Sequence, residues 1–148
     1  MTIGIVGLGY VGLPLALAFA EANNEVIGLD VDHSKIGKLA SGLSYFKHIG
    51  SDQIAKVVKS GYFIPSSEFD QLSLCNAIII CVPTPLNKHR EPDISYVLNT
   101  ARTIAKYLRP GTLVVLESTT YPGTTEGELR EILETDSGLK SGQDFYLA

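Results

Sequence analysis

The opening of this chain constrains its fold more than any other feature. A β-rich apolar run, Thr2 to Val6, passes directly into Gly7-Leu8-Gly9-Tyr10-Val11-Gly12 and then into an apolar stretch that reaches Ala22. A GxGxxG hexapeptide is a weak signal alone, but between a strand and a helix each glycine has its own task. Gly7 permits the tight turn, Gly9 lets the backbone approach a pyrophosphate, and Gly12 lets helix and strand pack closely. The helix start behind them offers unpaired N–H groups and the positive end of its dipole to an anion. Residues 3–20 carry no charge, yet Gly4, Gly7, Gly9, Gly12 and Pro14 interrupt them and no basic residue precedes them. A strand, a turn and a buried helix are therefore expected there, not a signal peptide or a membrane span.

The rest of the chain keeps alternating short β-rich runs with helical stretches, the pattern of a parallel sheet covered on both faces. A second strand is expected over Glu25 to Leu29, with helices at about Ser34 to Ala40 and Gln53 to Val58. Tyr62 to Ile64 reads as a short third strand. Ala77 to Val82 reads as a central strand buried on both sides. Ile94, Val97, Leu98, Ala101, Ile104, Ala105 and Leu108 recur at helical spacing, with Asp93 as the N-cap and Pro110-Gly111 as the stop. Thr112 to Leu116 is the next strand, and Glu126 to Leu133 the next helix, where Thr125 and Glu128 have capping-box spacing. Ser137 to Gln143 is a polar connection and Asp144 to Leu147 begins a sixth strand. The fold expected is α/β: a Rossmann-type, doubly wound parallel sheet with helices on both faces, one domain over 1–148. Because the final strand has no stop signal behind it, the chain reads as a fragment cut at the start of that strand.

An acid completes the phosphate turn. Asp30 ends the second strand, about twenty residues beyond the glycines, where a carboxylate takes both hydroxyls of the adenosine ribose and repels a 2′-phosphate. NAD is therefore favoured over NADP. A flavin site, another nucleotide site, or a domain with no nucleotide at all are the alternatives for such a turn. Lys35 either reaches the diphosphate or is a solvated helix residue, and Asp32 reads as a helix cap. The balance of 12 Lys+Arg against 16 Asp+Glu, net −4, speaks against a nucleic-acid partner, which would want a basic face. Cys75 and Cys81 fit neither a redox pair nor a zinc site and read as buried apolar thiols, and low cysteine use fits a reducing cytoplasm. No pair among His33, His48 and His89 has metal-ligand spacing.

The wording around these motifs is more specific than their pattern. GLGYVGLPLA (Gly7 to Ala16), CVPTP (Cys81 to Pro85) and ESTTYPGTT (Glu117 to Thr125) resemble, in order, three cofactor-facing segments of the UDP-glucose/GDP-mannose dehydrogenase family, and the likeness covers the whole chain. YFKHI (Tyr45 to Ile49) and CVPTPLNKHREPD (Cys81 to Asp93) look most like the UDP-N-acetylhexosamine 6-dehydrogenases of that family, those acting on UDP-N-acetylglucosamine foremost. The resemblance implies that Tyr10 and Val11 lie at the NAD pyrophosphate, Asp30 at the ribose and Lys35 near the adenosine end. It implies that Pro83 and Thr84 line the cofactor's path, and that Ser118 and Thr119 sit beside the nicotinamide, Thr119 helping to hold a water near the reacting carbon. A polar strand end that caps backbone groups is the alternative for Ser118 and Thr119.

The implied reaction is oxidation of a UDP-sugar C6 alcohol to a carboxylate with two NAD⁺, through covalent capture of the aldehyde by a cysteine thiolate. Neither Cys75 nor Cys81 corresponds to that nucleophile. The lysine and acids that assist it also match no position here, so the chain alone is expected to be inactive. The resemblance further implies a homodimer of the full-length enzyme. A stand-alone NAD-binding module without chemistry, UDP-glucose as the substrate, and another NAD-linked dehydrogenase remain as rival readings. Lys88 and Arg90 either approach a substrate phosphate or belong to a solvated loop.

Overall fold

The computed structural model describes residues 1–148. Six strands form one sheet in the order β3-β2-β1-β4-β5-β6. They are β1 Thr2–Val6, β2 Glu25–Leu29, β3 Phe63–Ser66, β4 Ala77–Ile80, β5 Leu113–Leu116 and β6 Tyr146–Leu147. Every pairing is parallel. This is the strand order of the doubly wound dinucleotide-binding fold, and the order reverses between β1 and β4, where a crevice opens at the strands' carboxyl ends. The expected Rossmann-type sheet is thus observed.

Side-chain alternation along the strands sorts the core into two layers. Ile3 and Ile5 of β1, Val26 of β2 and Ile79 of β4 point to one face. There they meet α1 (Gly12–Glu21) and α3 (Ser51–Lys59), while Leu39 of α2 (His33–Ala40) closes the same cluster. Val6, Ile27, Leu29, Ile78 and Ile80 point to the other face, against α4 (Ser95–Ala105) and α5 (Arg130–Ser137). Ile78 and Ile80 are fully buried and Ile79 nearly so, as the apolar run required of a central strand.

Several expectations shift on inspection of the backbone. The third strand runs Phe63–Ser66 rather than Tyr62 to Ile64, and it accommodates Pro65 because β3 is an edge strand. The fourth strand stops at Ile80, short of Val82. A 3₁₀ turn at Phe69–Leu74 was not expected at all. The N-cap of α4 is Ile94 rather than Asp93; Asp93 stands one residue earlier, and its carboxylate accepts the Ser95 N–H at 3.0 Å.

The capping box at Thr125 and Glu128 is not formed. Residues Thr125–Leu129 make a π turn that leads into α5, with the Leu129 N–H reaching back five residues to the Thr124 carbonyl. No side chain caps this turn. Glu128 instead accepts the Tyr121 phenol at 2.7 Å, and that bond pushes the phenol above its ordinary value. A carboxylate already engaged by a phenol has no reason to fold back on a backbone amide. No helix is long and apolar enough to cross a membrane.

Candidate functional site

The glycine turn joins β1 to α1 at the crevice. Gly7 adopts φ +96°, the left-handed region that only glycine enters freely. A Cβ on Gly12 would stand 1.8 Å from the Gly7 carbonyl oxygen, so helix and turn touch only because no side chain intervenes. A Cβ on Gly9 would meet nothing within 4 Å. That open space is where a ligand's bulk has room to approach the backbone.

The backbone hydrogen bonds of the turn divide sharply. Gly7 N–H donates to the Leu29 carbonyl at 2.8 Å, and the Gly9 carbonyl accepts from Leu13 N–H at 3.1 Å. Leu8 N–H donates to Asp30 Oδ2 at 2.9 Å. The next N–H groups, those of Gly9, Tyr10, Val11 and Gly12, have no acceptor in the protein, and no side chain caps α1. Consecutive donors at a helix start, with the helix dipole behind them, make an anion cradle.

Asp30 lies at the end of β2 beside this cradle, 8% exposed. Its Oδ2 takes Leu8 N–H and, at 3.5 Å, the Lys35 ammonium; its Oδ1 takes only the Asp32 N–H, at 2.9 Å. An ionised carboxylate has more acceptor capacity than these bonds use, which leaves Oδ1 able to receive hydroxyls. Asp32 is the cap expected, accepting Ser34 and Lys35 N–H at the start of α2. Lys35 is not a free surface lysine: besides Asp30 it sits 5.8 Å from the centre of the Tyr45 ring.

A cavity of about 740 Å³ runs along the carboxyl ends of the strands and gathers nearly every residue singled out from sequence: Gly7, Gly9, Tyr10, Val11, Asp30, Lys35, Pro83, Thr84, Ser118 and Thr119. Gly12 is the exception, buried beneath the turn. At the β5 end, the Ser118 hydroxyl donates to the Val82 carbonyl at 2.8 Å and so stitches β5 to the chain leaving β4. The strand-end role weighed for Ser118 is thus part of what it does. Thr119 is exposed and its hydroxyl has no protein partner.

The cavity also holds residues to which the sequence assigned no contact with a ligand. Phe46 lines it, packed 4.6 Å from the Tyr10 ring, with Tyr96 and Thr100 contributed by α4 and Glu117 by the end of β5. Phe46 falls within the YFKHI stretch, which sequence alone could not place against the glycine turn. Cys81 lines the floor. Burial and the nearby Glu117 carboxylate push its thiol up to about 11, and burial does the same to Cys75. Both thiols therefore stay protonated and poorly nucleophilic near neutral pH. Lys88, His89 and Arg90 are exposed in a loop outside the cavity.

Comparison with known proteins gives one consistent result. The family model described as "UDP-glucose/GDP-mannose dehydrogenase family, NAD binding domain" matches residues 1–148. The chain is 39% identical, over 98% of its length, to the UDP-N-acetyl-D-glucosamine 6-dehydrogenase of Salmonella typhi, covering 33% of that protein. It is 40% identical, over 100% of its length, to the UDP-N-acetyl-D-mannosamine dehydrogenase of Pyrococcus horikoshii, covering 35% of it. Among solved structures, the NDP-N-acetyl-D-galactosaminuronic acid dehydrogenase of Methanosarcina mazei Go1 superposes with a TM-score of 0.91 at 41% identity, covering 97% of this chain and 33% of that one. The chain thus spans about a third of the length of the relatives it matches.

Proposed function

The chain belongs to the UDP-glucose/GDP-mannose dehydrogenase family, whose NAD-binding domain it is, and from that premise we propose that it forms the cofactor half of an enzyme oxidising the C6 alcohol of a UDP-N-acetylhexosamine to the carboxylate with two NAD⁺. The observation that carries the cofactor reading is the run of unpaired N–H groups starting at Gly9, on residues Gly9, Tyr10 and Val11 that line the cavity beside the half-used Asp30 carboxylate. The preference for an N-acetylhexosamine rests on the two relatives named above.

The residues then divide the work along the cavity. The amides of Gly9, Tyr10 and Val11 would receive the diphosphate oxygens without reorganising, because they are already fixed by the helix start. Asp30 Oδ1 accepts the ribose hydroxyls and repels a 2′-phosphate, which selects NAD over NADP. Lys35 offsets the charge of Asp30 and reaches toward the diphosphate side. Pro83 and Thr84 guide the cofactor past the end of β4. The cofactor, when bound, supplies the acceptor for hydride from the sugar carbon. Thr119, with its unpartnered hydroxyl at the end of β5, holds a water beside that carbon, and Ser118 keeps the strand end in place. Neither Cys81 nor Cys75 serves as the nucleophile, since both thiols are buried and held protonated.

The test is NADH absorbance from the uninterrupted reading frame, offered UDP-N-acetylglucosamine, UDP-N-acetylmannosamine, UDP-glucose and GDP-mannose in parallel. Two NADH formed per molecule of one UDP-N-acetylhexosamine is the expected result. Turnover of UDP-glucose or GDP-mannose alone would overturn the substrate class. Silence across the panel with NAD still bound would leave a binding module without catalysis.

A further inference from the structure

The cofactor cradle is aimed by a residue far along the chain from the glycine turn. Leu8, in the centre of the glycine turn, has a fully buried side chain, so its position is fixed by packing. Its two backbone groups are then held from opposite directions. Asp30 Oδ2 accepts its N–H at 2.9 Å, and its carbonyl accepts the Tyr45 hydroxyl at 2.6 Å. A carbonyl has no proton to give, so the Tyr45 O–H is the donor in this bond. Burial and the carboxylates of Asp30 and Asp32 push the phenol well above its ordinary value, so that proton stays in place at any working pH.

The peptide unit makes this bond matter. Leu8 C=O and Gly9 N–H belong to one planar trans unit and point in opposite directions. Fixing the carbonyl fixes the amide, and Gly9 N–H is the first of the four unpaired donors in the cradle. Gly9 has no side chain to steady this peptide, and its own carbonyl, on the far side of its Cα, is taken by the Leu13 N–H. Tyr45 is itself held firmly. Ser51 Oγ accepts the Ser44 N–H at 3.0 Å, and Ser44 and Phe46 exchange two bonds, at 3.0 Å and 3.1 Å. Ile49 anchors the far end of the segment in the core. Lys35 closes the circuit by lying between the Tyr45 ring and Asp30.

We infer that Tyr45 is a positioning residue for the cofactor diphosphate: through the Leu8 carbonyl it orients the Leu8–Gly9 peptide so that the Gly9 N–H faces the bound phosphate oxygens. This inference rests on the NAD-binding reading of the glycine turn. Tyr45 does not touch the diphosphate; it acts through the peptide alone.

The experiment is calorimetric titration of the chain and its Tyr45→Phe variant with NAD⁺, ADP-ribose and adenosine. Phenylalanine keeps the ring that packs on Lys35 and removes only the hydroxyl. The two diphosphate ligands should bind about three- to tenfold more weakly, the scale of one neutral hydrogen bond. Adenosine, which meets Asp30 but not the cradle, should bind within about twofold of the unmodified chain, and the melting temperature should stay within about 2 °C by the size scaling of stability. A purely structural role would weaken all three ligands together and lower the melting temperature. Ser44→Ala, which loosens the support of Tyr45 without touching the turn, should give a smaller loss with the same selectivity for diphosphates. Equal NAD⁺ affinity in the chain and Tyr45→Phe, or an equal loss for adenosine, overturns the inference. Absence of NAD⁺ binding by the unmodified chain would instead overturn the cofactor reading beneath it.

Discussion

The two halves of the sheet meet the same cavity in different ways. On the β1–β3 side, polar side chains are spent at the site itself: Asp30, Lys35 and Tyr45 are tied to one another or to the glycine turn, and Asp32 caps the adjoining helix. On the β4–β6 side the main polar hub lies away from the site. Glu134 of α5 accepts Arg130 at 3.1 Å, Lys140 at 3.1 Å and Ser141 N–H at 3.1 Å, and these bonds hold its carboxyl at about 2. Because α5 runs back along the parallel sheet, this hub sits near the start of β6, at the strands' amino ends. At the β5 end of the cavity the bonds go to backbone carbonyls: Glu117 N–H donates to Ile80 at 2.9 Å and the Ser118 hydroxyl to Val82 at 2.8 Å. One half is thus organised to hold a ligand rigidly, and the other leaves a free hydroxyl at Thr119 and an exposed Glu117 beside it.

This contrast can be broken or sharpened by substitution. The largest effect is expected from Gly12→Ala, whose added methyl has nowhere to go against the Gly7 carbonyl. Stability should fall by about 3 kcal/mol or more, the range of severe overpacking, seen as a lower denaturant midpoint. Asp30→Ala should weaken NAD⁺ binding by about 1–3 kcal/mol in calorimetry, the scale of lost hydrogen bonds to a charged group; unchanged affinity would sink the ribose assignment. Gly9→Ala should leave the fold intact, since its Cβ meets nothing, yet weaken NAD⁺ by about tenfold by intruding where the diphosphate lies (about 1.4 kcal/mol). A Gly9→Ala variant with normal affinity would mean the diphosphate lies elsewhere. The smallest effect on binding belongs to the other half. Thr119→Val should change NAD⁺ affinity by less than about twofold while turnover of the complete enzyme falls about a hundredfold, the scale of a positioned proton-handling group. Loss of cofactor affinity in that variant would show that the β5 end also grips the ligand.

Much of the fold was legible because the strands that matter are apolar runs and the helices repeat at their own period. The Rossmann-type order follows from alternating elements, and the glycine turn with Asp30 announces its ligand class in a stretch of about thirty residues. What escaped depends on contacts rather than on pattern. The 3₁₀ turn at Phe69–Leu74 has no start signal, and the π turn at Thr125–Leu129 replaced a cap because Tyr121 claims Glu128. Tyr45 escaped for the same reason. It stands in a loop far along the chain from Leu8, and only folding brings its hydroxyl to that carbonyl. Spacing can reveal a motif's own residues but not the side chain that steadies them from elsewhere.

The double duty of Asp30 limits how cofactor preference can be redesigned. In the proposed role its carboxylate would repel a 2′-phosphate, and the same group fastens the Leu8 amide through Oδ2. A swap to a small neutral residue would admit the larger cofactor and unfasten the turn that must grip it. Asparagine at this position removes the repelling charge and keeps one oxygen for the Leu8 N–H, at the cost of turning its NH2 toward the Asp32 N–H that Oδ1 now accepts. Any conversion to NADP therefore starts from Asp30→Asn, with a new cation built elsewhere on the rim.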